Sequence, residues 1–147
     1  MIKEPSGYSI DQIRAIKSAF IIEAERLSAQ GLEAFARPFY QEAGEGEVLL
    51  ATLFESLHRT SDAKISLLSA GSCLVKARQF ARALPILKRV RTDFQEAEDM
   101  IQNCRGKDDE PLAADIPELR ALVKLLLKKG LITEREWTEA FKSVTAS

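Results

Sequence analysis

The sequence predicts an all-α domain built from antiparallel helical hairpins, and three observations carry that expectation. Apolar residues recur at a period of 3.6 along nearly the whole chain, and no run alternates at period two. Short polar or glycine-containing breaks separate the periodic stretches, so successive helices must fold back on one another. Helix-start signals stand at several of these breaks. A chain of 147 residues is the size of one ordinary domain.

The first helix opens at Ser9, whose hydroxyl is placed to accept the third helical amide while Gln12 bonds back to the cap. Tyr8 and Ile13 occupy the positions of a hydrophobic staple. Ile13, Ile16, Phe20, Ala24 and Leu27 form its apolar stripe, and Gly31 is the expected stop because glycine readily takes a left-handed conformation. A second helix is expected over 33–43, with Phe35, Ala36, Phe39, Tyr40 and Ala43 on its buried face. Gly44 and Gly46 each weaken a helix by about 1 kcal/mol relative to alanine, which predicts a break or kink before a third helix over 47–58. Residues 59–62 suit a turn and the next N-cap.

A fourth helix over 62–77 and a fifth over 80–91 are separated only by Arg78-Gln79, which forces them antiparallel. Pro85 is expected near the start of the fifth, where a missing amide costs little. Thr92 and Gln95 have capping-box spacing and predict a sixth helix ending near Cys104. Residues 105–114, with Gly106, Asp108, Asp109, Glu110 and Pro111, read as an acidic linker. Residues 1–104 thus form the main helical domain and 115–147 a C-terminal helical hairpin packed on it. Asp115 and Pro117 start the first helix of that hairpin, and Gly130 ends it. Ile132, Thr133, Glu136 and Trp137 form a capping box with staple for a final helix over 134–144.

Charge is distributed unevenly. Residues 63–92 contain Lys64, Lys76, Arg78, Arg82, Lys88, Arg89 and Arg91 without one acid, and residues 93–119 carry a net charge of −7, in a chain whose total is −1. Basic residues at helical spacing on a tight hairpin point to a cationic surface with something acidic to meet. Lys76, Arg78, Arg82, Lys88, Arg89 and Arg91 are therefore the expected partner-binding residues. An alternative occupant is nucleic acid, drawn by counterion release. Against it stand a pI near 5.9 and the absence of aromatic residues interleaved with the basic ones. The competing expectation is that the acidic stretch beginning at Asp93 folds back and neutralises the patch.

Leu67, Ala70, Gly71, Leu74, Phe80, Ala83, Leu87 and Val90 stand at the offsets where a tetratricopeptide repeat places its large and small packing residues. The hairpin resembles that family most in Gly71 and Ala83, where small side chains let two helices approach closely. A weaker echo occurs in Phe20, Ala24, Leu27, Gly31, Ala36, Tyr40 and Ala43. The resemblance implies tetratricopeptide-like packing, with a generic helical bundle as the alternative. Ala36 and Ala83 are 47 residues apart, which departs from the family's regular 34. The first hairpin also resembles ferritin-like bundles in Ala24-Glu25, Gly31-Leu32 and Ala36-Arg37. That family holds two metal ions with carboxylates and Glu-x-x-His pairs. Here Glu55 and His58 supply one such pair, Glu47 is followed three residues later by Leu50, and His58 is the only histidine. A metal-free or metal-binding relative of that bundle is therefore a further alternative.

Catalytic constellations are poor. Neither Cys73 nor Cys104 has a histidine near it in sequence, and Gly44-Glu45-Gly46-Glu47 has the wrong charge for a phosphate loop. No catalytic residue, cofactor or metal is assigned. The longest apolar runs are far short of the ~20 residues of a membrane helix, and residues 1–5 lack the apolar core of a secretory signal. Two free, buried thiols in a reducing cytoplasm are expected. The sequence thus points to a cytoplasmic, non-enzymatic protein-interaction module or adaptor that binds an acidic or amphipathic segment, with self-association through the C-terminal hairpin as a further route to partners.

Overall fold

The computed structural model describes residues 9–110 together with Gly130 and Glu136. Every element among them is a helix: α1 (Ile10–Ala29), α2 (Glu33–Ser56), α3 (Thr60–Lys76), α4 (Phe80–Lys88) and α5 (Gln95–Cys104). Expectations placed on residues 1–8 and 111–147 lie outside the described residues, apart from those two positions. These include the Tyr8 staple, the Pro117 helix start, the 115–147 hairpin and its final helix. Gly130 has φ +72°, and Glu136 is helical.

α1 begins as its sequence requires. The Gln12 amide donates to Ser9 Oγ at 3.1 Å, and the Ser9 amide donates to Gln12 Oε1 at 2.8 Å. The same Gln12 side chain donates from Nε2 to Glu136 Oε2 at 2.8 Å, a contact between the C-terminal segment and the start of α1. Each helix then packs chiefly on its neighbours in the chain, α1 on α2, α2 on α3 and α3 on α4, with α5 closing over α4 and α3.

The three turns between α1 and α4 are built alike. Each helix ends in a cap residue, followed by one residue at positive φ (Gly31 at 78°, His58 at 60°, Arg78 at 61°) and one N-cap residue. The amides of Leu32, Arg59 and Gln79 reach back to the carbonyls of Leu27, Phe54 and Leu74 at 2.8–2.9 Å. Those of Gly31, His58 and Arg78 reach the carbonyls of Ser28, Glu55 and Val75 at 2.9–3.1 Å. Both bonds of a Schellman motif are therefore present at every turn, satisfying carbonyls that a helix end would otherwise leave bare.

The core runs through the stack in three connected clusters. Phe20, Ala24 and Leu27 of α1 meet Ala36, Phe39, Tyr40 and Ala43 of α2 and Cys73 of α3, with the Phe20 and Phe39 rings 6.2 Å apart. Ile13, Leu50, Leu53, Phe54 and Ala63 fill the opposite end. Ala51, Leu67, Ala70, Leu74, Ala83, Ile86, Leu87, Val90, Ala97 and Ile101 join α2 to α5.

Phe35, expected on the buried face of the second helix, is exposed, outside the stripe that meets α1 and α3, and four expectations about helix bounds are corrected. There is no break at Gly44 and Gly46: the second and third expected helices are one, α2. Both glycines are contact points, and packing overrides their low propensity. A Cβ on Gly44 would lie 2.9 Å from Leu74 Cγ of α3, and one on Gly46 would lie 3.3 Å from Lys17 Cβ of α1. α2 is thus a middle helix approached closely from two sides. Between them Glu47 is buried and paired with Lys17 Nζ at 3.6 Å.

Second, α3 starts at Thr60, two residues early, because the Schellman turn makes Arg59 its N-cap. Third, Pro85 is the sixth residue of α4, for the same reason: the turn fixes the helix start at Phe80. Fourth, α4 ends at Lys88 rather than Arg91, and Thr92 does not cap α5. Its N-cap is Phe94, in extended backbone with its side chain packed on the core. Gln95 turns instead to Asp99, at 3.1 Å.

Candidate functional site

The cations of the acid-free stretch do not form one bare surface. Arg82 of α4 makes a two-pronged pair with Glu45 of α2, Nε to Oε1 at 3.0 Å and NH2 to Oε2 at 3.2 Å. Arg89 NH2 reaches Glu55 Oε2, also on α2, at 2.8 Å. Arg91 pairs with Glu98 at 2.6 Å, and this hydrogen bond, with a second from Gln102, holds the Glu98 carboxyl below its usual range. Lys64 meets Asp93 at 3.0 Å. Lys88 is exposed and has no carboxylate partner among the described residues.

Lys76 and Arg78 lie elsewhere, at the end of α3, where the α1–α2 and α3–α4 turns stand side by side. A cleft of about 480 Å³ opens between these turns, walled by Arg37, Tyr40, Lys76, Arg78, Phe80 and Lys107. Ser28 and Glu33 close its α1 side, with Ser28 Oγ donating to Glu33 Oε2 at 3.1 Å. The Lys76 ammonium lies 5.5 Å from the centroid of the Tyr40 ring, and the Lys107 ammonium 5.7 Å from that of Phe80. Aromatic faces so placed attract a cation and hold it at the wall.

The segment after α5 borders this cleft at Lys107, and Glu110 meets two of its lining residues, Arg37 and Arg78. Its residues are tied to the α3–α4 turn by main-chain and side-chain bonds. The Glu110 amide donates to the Arg78 carbonyl at 3.1 Å, and Gln79 Nε2 donates to the Glu110 carbonyl at 2.8 Å. The Ala81 amide, in the first turn of α4, donates to Asp109 Oδ1 at 2.9 Å. Gln79 makes no side-chain cap of its own, so Asp109 caps α4 from outside the helix. Glu110 Oε2 sits between Arg37 NH2 at 3.3 Å and Arg78 Nε at 3.2 Å. That oxygen is hidden from solvent and makes no well-aligned hydrogen bond, so charge holds it.

Of the six residues expected to bind a partner, only Lys76 and Arg78 share this cleft. Arg82, Lys88, Arg89 and Arg91 lie along α4 and the connection after it. Sequence reasoning missed Arg37 and Lys107. Local sequence carried no signal for either, because both reach the cleft only through helix packing; the 47-residue register marks Arg78 instead, setting it where the first hairpin has Gly31. An L side chain at that backbone conformation costs about 1–2 kcal/mol, so an arginine there stands out.

The thiols are poor nucleophiles. Cys73 and Cys104 are free and buried. Desolvation, reinforced by Glu47, pushes the Cys73 thiol up to about 11, and burial raises Cys104 as well. Among the described residues no group of three or more His, Cys, Asp or Glu side chains is placed to hold a metal, and Glu55 of the Glu-x-x-His pair faces Arg89. No described helix is long and apolar enough to cross a membrane. No protein-family model matches the chain, and neither the curated proteins nor the solved structures give a significant match.

Proposed function

We propose that this chain is a non-enzymatic protein-interaction module that docks an acidic segment of a partner protein in the cleft between its first two hairpins. The observation that carries the reading is the Arg37–Arg78 clamp, in which two guanidiniums from different hairpins converge on one carboxylate. Converging arginines are a recurrent means of recognising acidic motifs, and Lys76 and Lys107, held over the buried rings of Tyr40 and Phe80, add positive charge beside them. Arg78 occupies a backbone position that favours glycine, and strain of this kind tends to be retained where a side chain is needed. The stacking of successive hairpins and the close approach at Gly71 support tetratricopeptide-like packing as the framework. Free buried thiols fit a reducing, cytoplasmic setting.

Arg82 and Arg89 contribute to binding less than their charge suggests, because Glu45 and Glu55 already accept them. The same carboxylates would repel a phosphate backbone, which disfavours nucleic acid. The test is fluorescence anisotropy with a labelled glutamate-rich peptide at low salt. Arg37→Glu together with Arg78→Glu abolishes binding while circular dichroism shows retained helix, and Arg82→Gln leaves binding in place. Undiminished binding by the double charge reversal would remove the cleft from the mechanism.

A further inference from the structure

The segment held by the arginine clamp shows what kind of ligand the clamp is built for. Two adjacent acids do different work there. Asp109 accepts the amide of Ala81 at the positive end of α4, and one residue later Glu110 places its carboxylate between Arg37 and Arg78. Between them the main chain pairs with the turn, donating to the Arg78 carbonyl and accepting from the Gln79 amide group. Charge, spacing and backbone direction are all read at once. A point anion would satisfy the clamp alone, whereas an extended Asp-Glu segment satisfies every group.

The way the segment is held also bears on its role. Residues 105–109 are exposed, and residues 105–110 contain no apolar side chain. Its contacts are hydrogen bonds, the Glu110 pairs with two partly exposed arginines and the Lys107 ammonium over Phe80, and partly exposed ion pairs contribute little in water. Nothing like the buried contacts of Leu74 or Leu87 anchors it. A ligand that reproduces the same contacts and brings a further acid toward Lys76 or Lys107 of the cleft has the means to replace it.

Resting on the proposed interaction role, we infer that the Arg37–Arg78 clamp at the cleft recognises a partner segment containing adjacent Asp and Glu residues, and that Asp109-Glu110 of this chain occupy the clamp and the start of α4 in cis and are displaced when the partner binds. The cis segment then sets a threshold: apparent affinity for a partner is the intrinsic affinity multiplied by the fraction of molecules in which the cleft is open.

The experiment compares the full chain with Asp109→Ala/Glu110→Ala, using a labelled peptide that carries residues 107–110. Glu110→Gln serves as a milder variant that leaves the Asp109 cap on α4, and thermal melts establish that each variant is folded. The expected result is about tenfold tighter peptide binding by the double variant than by the unaltered chain, an intermediate gain for Glu110→Gln, and loss of that binding when Arg37→Ala is added. Equal affinity of the unaltered chain and both variants overturns cis occupancy while leaving the interaction role standing. Failure of the folded double variant to bind the peptide at low salt overturns the interaction role itself.

Discussion

The α1–α2 and α3–α4 hairpins are two solutions to one packing problem. Displaced by 47 residues, Phe20, Ala24, Leu27, Ala36, Phe39 and Ala43 correspond to Leu67, Gly71, Leu74, Ala83, Ile86 and Val90, and all twelve are buried. The turns match as well, with the same pair of main-chain bonds. The departures are informative. Where α1 has Ala24, α3 has Gly71, whose added Cβ would lie 2.2 Å from Leu87 Cδ2 and 2.5 Å from Leu87 Cγ. Where the first turn has Gly31, the second has Arg78. The second hairpin is therefore the more tightly closed of the two, and it accepts a less favourable turn residue that supplies half of the clamp on Glu110.

This comparison is broken most severely at the helix contact. Gly71→Ala is expected to destabilise the protein by the upper part of the about 1–3 kcal/mol typical of overpacking, because Leu87 is fully buried and its branch point is struck. Ala24→Gly in the first hairpin forfeits about 1 kcal/mol of helix propensity and about 0.8 kcal/mol for one buried methyl, without any clash. Urea denaturation of the two variants distinguishes them, and equal losses would mean that the two contacts are equally close.

The next effect concerns Glu42 of α2, which stands 47 residues before exposed Arg89 of α4. Burial, with help from the Glu45 carboxylate, lifts the Glu42 carboxyl from 4.5 to about 7. The native state consequently holds a proton that the unfolded chain has released across that window. Stability falls as pH rises from the unfolded value through the folded one, and the loss is complete above about 7. Allowing for the partial exposure of the side chain, the loss amounts to about 2 kcal/mol. Glu42→Gln removes this slope, which melting curves at acidic and mildly alkaline pH would reveal.

A smaller difference is expected at the turns. Gly31→Ala places an L side chain at φ +78° with nothing within 4 Å of its Cβ, so the cost is that of the backbone, about 1 kcal/mol. Arg78→Gly relieves the same strain and loses a surface ion pair, leaving stability nearly unchanged while opening the clamp. Denaturation midpoints that fall equally for both would contradict the equivalence of the two turns. Least affected are Arg82→Gln and Arg89→Gln, each within about 1 kcal/mol and less at high salt, because both arginines and Glu55 are substantially exposed and Glu45 is partly so.

Much of this architecture was legible in local sequence. Ser9 with Gln12 marked the start of α1, Gly31 its end, and Arg78-Gln79 a connection too short for anything except an antiparallel return. Small residues at Gly71 and Ala83 marked a close helix contact. Gly44 and Gly46 misled because propensity weighs a glycine against water, while these two face Leu74 and Lys17. Thr92 misled because Phe94 gains more by packing on the core than Thr92 gains by capping.

The sequence by itself determined the helical class, the hairpin connections and the existence of an acid-free stretch followed by an acidic one, since each depends on residues near one another in the chain. Tertiary structure decided which charges meet. Glu45 and Glu55 of α2 reach forward to Arg82 and Arg89, Asp109 returns to the start of α4, and Arg37 joins Arg78 around Glu110. Charges separated by about thirty to seventy residues become neighbours only when the helices that carry them have packed, because side-chain direction and helix register, unlike periodicity, are properties of the assembled core.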